Sequence, residues 1–248
     1  MQDVYFSDLG AIPYKEAWDL QESLLQKNVH AKILLKNQSE AVPSLRGEMK
    51  KEASEADLNT RNYLLLCEHP PVYTLGKNGH TENVLISEAD RIQKGIEYYH
   101  TNRGGDITFH GPGQIVGYPI LDLEKYYTDI GKYLRNLEEV IIRTLAYYGI
   151  EGERSKGETG VWIEPGRKGY ERKICAMGVR CSRWVTMHGF ALNVHTDLDY
   201  FNYIIPCGIV NKQVTSIEKE LRYNPGMAAV KEVLRDCFEK VFDSRLVE

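Results

Sequence analysis

The chain has 248 residues, with 31 Lys and Arg against 35 Asp and Glu and a formal charge of −4 at neutral pH. With 42% hydrophobic and 27% charged residues its composition is that of a folded globular protein rather than a disordered chain, and no stretch reaches the ~18–20 apolar residues of a membrane span. A small acidic excess excludes nucleic-acid binding through overall charge and leaves only a local basic patch for that task.

The first predicted element is an amphipathic helix over residues 13–28. Pro13 suits a first helical position, and Ala17, Leu20, Leu24 and Leu25 share one face. Residues 37–60 are polar and charged and predict a surface insertion. Residues 63–67 form an apolar run that reads as a buried strand. A rigid corner at His69, Pro70 and Pro71 follows, and then a second extended piece over 72–76. Ser87 and Asp90 mark the start of a short helix ending near Gly95. Residues 96–121 are strand-like with dense glycine and proline.

The strongest helical pattern runs over residues 128–148. Ile130, Leu134, Leu137, Ile141, Leu145 and Tyr148 recur at three- and four-residue steps, with Gly149 placed to cap the end. An extended piece over 160–163 and a turn over 164–169 lead into two extended runs, 173–181 and 184–194, which predict an antiparallel hairpin. Pro225 opens a last helix whose apolar face is Val230, Val233, Leu234, Cys237 and Val241. Helices interspersed among antiparallel strands predict an α+β fold, a single domain over 1–248 with 37–60 inserted at its surface.

The cysteines are Cys67, Cys175, Cys181, Cys207 and Cys237, with no C-x-x-C pair. Such spacing gives neither a zinc ribbon nor a redox motif, so the expectation is no metal, free thiols and a reducing, cytoplasmic compartment. Residues 1–10 carry acids where a signal peptide needs a basic start and an apolar run.

Chemistry concentrates in two places. Residues 103–114, Arg-Gly-Gly-Asp-Ile-Thr-Phe-His-Gly-Pro-Gly-Gln, put four glycines and a proline among polar side chains. Backbone of that kind passes close to a ligand or turns tightly, and Arg103, Thr108, His110 and Gln114 are placed to line one wall. It matches no phosphate-loop pattern. The second place is Cys207 between Pro206 and Gly208, which reads as a rigid turn after an apolar strand at Ile204 and Ile205. A thiol there is presented to a cleft or packed as a small hydrophobe. At an ordinary pKa near ~8.5 only about 3% of it is thiolate at pH 7, so a nucleophile would need a cation beside it. Lys173, opening an otherwise buried run, is one source, or else a solvated strand end. His188 sits in an apolar run and reads as a core histidine or an assistant.

Taken together, these segments resemble the lipoate-biosynthesis octanoyltransferase family. The resemblance is carried by RGGDITFHGPGQ at 103–114 with Tyr118-Pro119-Ile120 behind it, KICAMGVR at 173–180, HGFALNV at 188–194, PCG at 206–208 and HPPVYTLG at 69–76. It spans residues 60–220 in order, and the segment 37–60 stands outside it.

The resemblance implies a mixed, largely antiparallel sheet flanked by helices, like the core of biotin protein ligases and class II aminoacyl-tRNA synthetases. It places the acyl-thioester nucleophile at Cys207 and its activating cation at Lys173. Substrate-binding positions fall on Arg103, Gly104, Gly105, Asp106, Ile107, Thr108, Phe109 and His110, on Ala176, Met177 and Gly178, and on Gly189, Phe190 and Ala191. The implied partners are octanoyl-acyl carrier protein as donor and lipoyl domains of lipoate-dependent enzyme complexes as acceptors. No cofactor is expected, the acyl group arriving on the carrier's phosphopantetheine arm, and neither nucleic acid nor a membrane is an expected partner. Competing readings are an ATP-dependent lipoate or biotin-type protein ligase, a cysteine-dependent thioesterase or amidase, and a non-catalytic acyl-carrier binding module.

Overall fold

The computed structural model describes residues 1–40, 59–205 and 213–248. Its main sheet has the order β12-β1-β2-β6-β10-β9-β8-β7, with β11 added beside β9. These strands are β1 (Gln2–Ala11), β2 (Asn62–Glu68), β6 (Gln114–Ile120), β7 (Glu153–Arg154), β8 (Val161–Ile163), β9 (Arg172–Ser182), β10 (Val185–Asn193), β11 (Gln213–Val214) and β12 (Ser244–Val247). β1 runs parallel to β2 and β12, and β11 parallel to β9, while the remaining pairs are antiparallel. A smaller sheet has the order β4-β3-β5, from β3 (Val72–Leu75), β4 (Glu97–His100) and β5 (Ile107–His110).

The central strands are apolar on both faces because helices cover both. Along β2, Leu64 and Leu66 point one way and Leu65 and Cys67 the other, and all four are buried. Helix α1 (Tyr14–Glu40) covers the face of Leu65 and Cys67 with Ala17, Leu24 and Leu25. Helices α3 (Ile130–Tyr147) and α5 (Met227–Phe242) cover the opposite face with Leu137, Ile141, Leu145, Val230, Leu234 and Phe238. Short helices α2 (Glu88–Gln93) and α4 (Ile217–Leu221) lie at the periphery. Ser87 caps α2, its hydroxyl accepting from Asp90 N, and Gly149 takes φ +74° after α3.

Two expectations change, and one strand had no expectation. The first helix does not end near residue 28 but runs to Glu40, so the polar segment starts as helix, and residues 41–58 lie outside the described residues. It continues because its polar residues are tied down. Asn28 exchanges two bonds with the Arg61 main chain at 2.7 and 2.8 Å, and Lys32 pairs with Asp122 and Glu124. The N-terminal residues form β1, an edge-proximal strand with only Val4 buried. The residues before Cys207 are not a strand: Leu198–Tyr203 is a 3-10 helix, and Ile204 makes one isolated bridge, to Val84.

Candidate active site

A cavity of about 960 Å³ opens where β5, β6, β9 and β10 converge with the N-terminal turns of α1 and α3. It is lined by Arg103, Gly104, Gly105, Asp106, Ile107, Thr108 and His110, by Lys173, Ala176, Met177 and Gly178, and by Gly189, Phe190 and Ala191. The hairpin strands and the distant glycine loop thus share one chamber, because β9 pairs with β10 at Gly178↔Gly189 and Gly104 N donates to Val179 O at 2.9 Å. Among the described expected positions two do not line it: Gln114, which lies behind His110 and bonds its ring, and Phe109. Strand alternation turns Phe109 away from Thr108 and His110 and stacks it on Tyr200 at 4.6 Å, among Tyr73 and Phe201.

Glycine is required where strands and loop meet. A Cβ at Gly178 would lie 2.6 Å from Gly104 O, and one at Gly189 only 2.2 Å from Gly117 O. The Arg103 side chain is buried, its guanidinium donating to Thr74 O at 2.6 Å, Thr74 Oγ1 at 2.9 Å and Gly104 O at 3.1 Å. It braces the glycine loop against β3. Asp106 is likewise committed to the fold. Its Oδ1 accepts from His80 N and Ile107 N, and its Oδ2 from Asn83 Nδ2 at 2.6 Å.

Lys173 is a buried residue rather than a solvated strand end. Its Nζ lies 4.6 Å from the centre of the Trp162 ring, its partner across β8–β9. Gly160 packs on its stem, a Cβ there falling 3.6 Å from Lys173 Cε and 2.5 Å from Cys175 O. Gly160 N in turn donates to the buried Glu138 carboxylate at 3.0 Å, which also receives Arg135 and Arg154. Cys207 falls outside the described residues, as do Pro206 and Gly208. The residues that flank this segment are described: Ile205 N donates to Asn83 O at 2.8 Å, and Val214 pairs with Lys173.

His110 and His188 also line the cavity, and His69 lies beside His110 with ring centres 5.9 Å apart. His110 Nδ1 donates to Gln114 Oε1 at 2.8 Å, and its Nε2 receives the Thr74 hydroxyl at 3.3 Å. Gln114 Nε2 passes on to Asn193 Oδ1 at 2.9 Å, and Asn193 Nδ2 to Thr215 O at 3.0 Å. His69 donates from Nδ1 to Ile12 O and receives the Tyr118 hydroxyl at Nε2, each at 2.7 Å. Burial holds His69 down to about 4 and His188 to about 3, and pushes His110 well below the usual imidazole range. His188 also has a left-handed φ of +60°, with Nε2 against Asn102 Oδ1 at 2.7 Å. Burial pushes the thiols of Cys67, Cys175, Cys181 and Cys237 up. Among the described residues no His, Cys, Asp and Glu side chains converge as a metal site, and no described helix is long and apolar enough to cross a membrane.

Asn83 and Trp162 went unmarked in the sequence. The Trp162 signal is its register opposite Lys173. That of Asn83 is invisible locally, since both its partners are distant in sequence.

The chain matches the family model of the lipoyl protein ligase A/B catalytic domain over residues 13–239. An octanoyltransferase of Christiangramia forsetii is 52% identical over 246 residues, covering 99% of this chain and 98% of its own length. One of Flavobacterium johnsoniae is 58% identical over 218 residues, 88% of this chain and 87% of its own. Among solved structures, a lipoate-protein ligase A bound with ATP superposes with a TM-score of 0.67 at 15% identity, over 100% of this chain and 88% of that one. A bipartite lipoate protein ligase from Thermoplasma acidophilum gives 0.66 at 16% identity, over 100% and 87%. At such identities the likeness is one of fold.

Proposed function

We propose that this chain, which belongs to the lipoyl protein ligase A/B catalytic-domain family, moves an octanoyl group from acyl carrier protein to a lysine of lipoyl domains through a thioester on Cys207. The observation that carries this reading is Lys173, a buried lysine in the wall of a largely apolar cavity, paired on its strand with Val214 just beyond the Cys207 segment. A cation so placed suits a nearby thiolate. The four other thiols are each pushed up by burial, which disfavours them as nucleophiles.

In the first half-reaction the Cys207 thiolate attacks the donor's thioester carbonyl. The carbon–sulfur bond to the carrier breaks, and the Lys173 ammonium gives its proton to the leaving carrier thiolate. In the second, the acceptor amine attacks octanoyl-Cys207. The carbon–nitrogen bond forms, the Cys207 thiolate leaves, and neutral Lys173 takes the amine's proton, which restores the starting pair. A thioester is exchanged for a thioester and then for an amide, so no nucleotide is consumed. Met177, Phe190 and Val116 offer an apolar wall to the acyl chain.

Incubation with octanoyl-acyl carrier protein, without and then with an apo lipoyl domain, tests the scheme by intact-protein mass spectrometry. A hydroxylamine-sensitive octanoyl adduct on Cys207, discharged to the lipoyl domain, is expected. An adduct that survives Cys207→Ser, modification that requires ATP and free octanoate, or release of octanoate to water would each overturn it.

A further inference from the structure

Asn83 joins two parts of the molecule that no strand pairing connects. It closes a short 3-10 helix, Thr81–Asn83, at the cavity mouth and is half-buried. Its side-chain Nδ2 donates to Asp106 Oδ2 at 2.6 Å, and Asp106 is itself fixed by bonds from His80 N at 3.2 Å and Ile107 N at 2.7 Å. Ile107 opens β5 and is wholly buried, so this end of the link is anchored in the core. At its main chain, Asn83 O accepts from Ile205 N at 2.8 Å, next to the Val84–Ile204 bridge. Ile205 stands two residues before Cys207. Asn83 therefore links the rim of the cavity directly to Ile205, beside the Leu85 N to Tyr203 O bond at 2.9 Å and the Tyr73 hydroxyl to Tyr200 O bond at 2.7 Å that hold the preceding residues.

From this we infer that Asn83 is a positioning residue for acyl transfer: its amide bond to Asp106, with its main-chain bond to Ile205, ties the stretch that precedes Cys207 in sequence to the rim of the cavity. The inference rests on the assignment of Cys207 given above. A plain turn-stitching role would affect only stability. A positioning role affects how fast the thiol is acylated and how its reactivity depends on pH, because both follow from its distance to the donor carbonyl and to Lys173.

The bond admits an inversion that keeps shape and total charge. Asn83→Asp alone faces two carboxylates against each other. Combined with Asp106→Asn it restores the bond with donor and acceptor exchanged, since the new amide's oxygen still accepts from His80 N and Ile107 N while its nitrogen faces the new carboxylate. Single-turnover acylation by octanoyl-acyl carrier protein, the pH profile of Cys207 alkylation by iodoacetamide, and thermal melting are measured for wild type, single and double variants. The single variant is expected to acylate about 100-fold more slowly at saturating donor, with donor KM within about 3-fold of wild type. Its alkylation profile should move upward by roughly half a unit or more, and the double variant should recover to within about 5-fold. Wild-type rate and pH profile in the single variant overturn the inference. So does a double variant that recovers its melting temperature but not its acylation rate. If Asn83→Asp fails to fold, Asn83→Ser, which cannot span to Asp106, is compared with wild type alone, and a wild-type acylation rate and pH profile in it overturn the inference. A wild-type protein that never forms the Cys207 adduct is a different result, and removes the acyl-transfer reading itself.

Discussion

Glu138 is a wholly buried carboxylate on α3, and what it does can be separated by two substitutions. Oε1 accepts from the buried Gly160 N–H at 3.0 Å, while Oε2 receives Arg135 Nη1 at 2.9 Å and Arg154 Nε at 3.1 Å. The arginine side chains are 45% and 37% exposed, so they can turn to water once the carboxylate is gone. Loss of the ion pairs therefore costs no more than about 1 kcal/mol. Glu138→Ala also strands a buried N–H, worth about 1–3 kcal/mol, and the total comes to about 3 kcal/mol. Glu138→Gln retains an oxygen for Gly160 but sets an amide nitrogen where Oε2 received the two arginines, which can turn to water, so the cost is about 1 kcal/mol. Urea unfolding followed by circular dichroism reads both numbers. Because Gly160 packs on the Lys173 stem, the alanine variant should also acylate slowly, whereas the glutamine variant should not. Equal destabilisation by Gln and Ala would show that the charge, not the bond to Gly160, is what the fold needs, and would refute the reasoning.

Lys173→Ala should move the alkylation midpoint of Cys207 upward, by about one to two units if the ammonium is its main stabiliser; an unchanged profile removes Lys173 from the proposed pairing with Cys207. Gly189→Ala should destabilise the protein by about 3 kcal/mol or more in the same urea assay, since its Cβ would meet Gly117 O at 2.2 Å. Gly178→Ala, facing Gly104 O at 2.6 Å, should instead displace the 103–105 loop and raise donor KM, so an unaltered KM argues against that loop as a substrate contact. The fold should also weaken in mild acid. His69 takes up a proton near 6.5 when unfolded but only at about 4 when folded, so stability falls as pH drops through that interval and is fully present above it. The loss amounts to at most about 3 kcal/mol, and His69→Gln should flatten part of the slope in urea titrations run from pH 7 to 4.5.

Elements that bury a periodic face were legible in the sequence. The helix α3 and the hairpin β9–β10 follow from apolar spacing, and the residues 103–110 converge on the cavity with Phe109 alone turned aside. β1 was not legible, because a strand held by backbone pairing to both neighbours needs few apolar side chains, and only Val4 is buried. The second half of α1 was hidden for a related reason: Asn28 and Lys32 hold it through partners 33 and 90 residues away. Lys173 stood out as a residue type in the wrong place, but its packing under Trp162 depends on a strand register that spacing alone does not supply.

The run of bonds from His110 through Gln114 and Asn193 to Thr215 has a direction. Each amide accepts on the His110 side and donates toward β11, and the run ends on the main-chain oxygen of Thr215. Only one orientation of each amide satisfies its neighbours, so hydrolysis of either to a carboxylate, a change of a single atom, would set oxygen against oxygen in the protein interior. Chemical ageing at Gln114 or Asn193 would therefore mark a preparation by lost stability before any change in the visible shape of the cavity, and a mass increase of about one dalton in the corresponding peptides would be its signature.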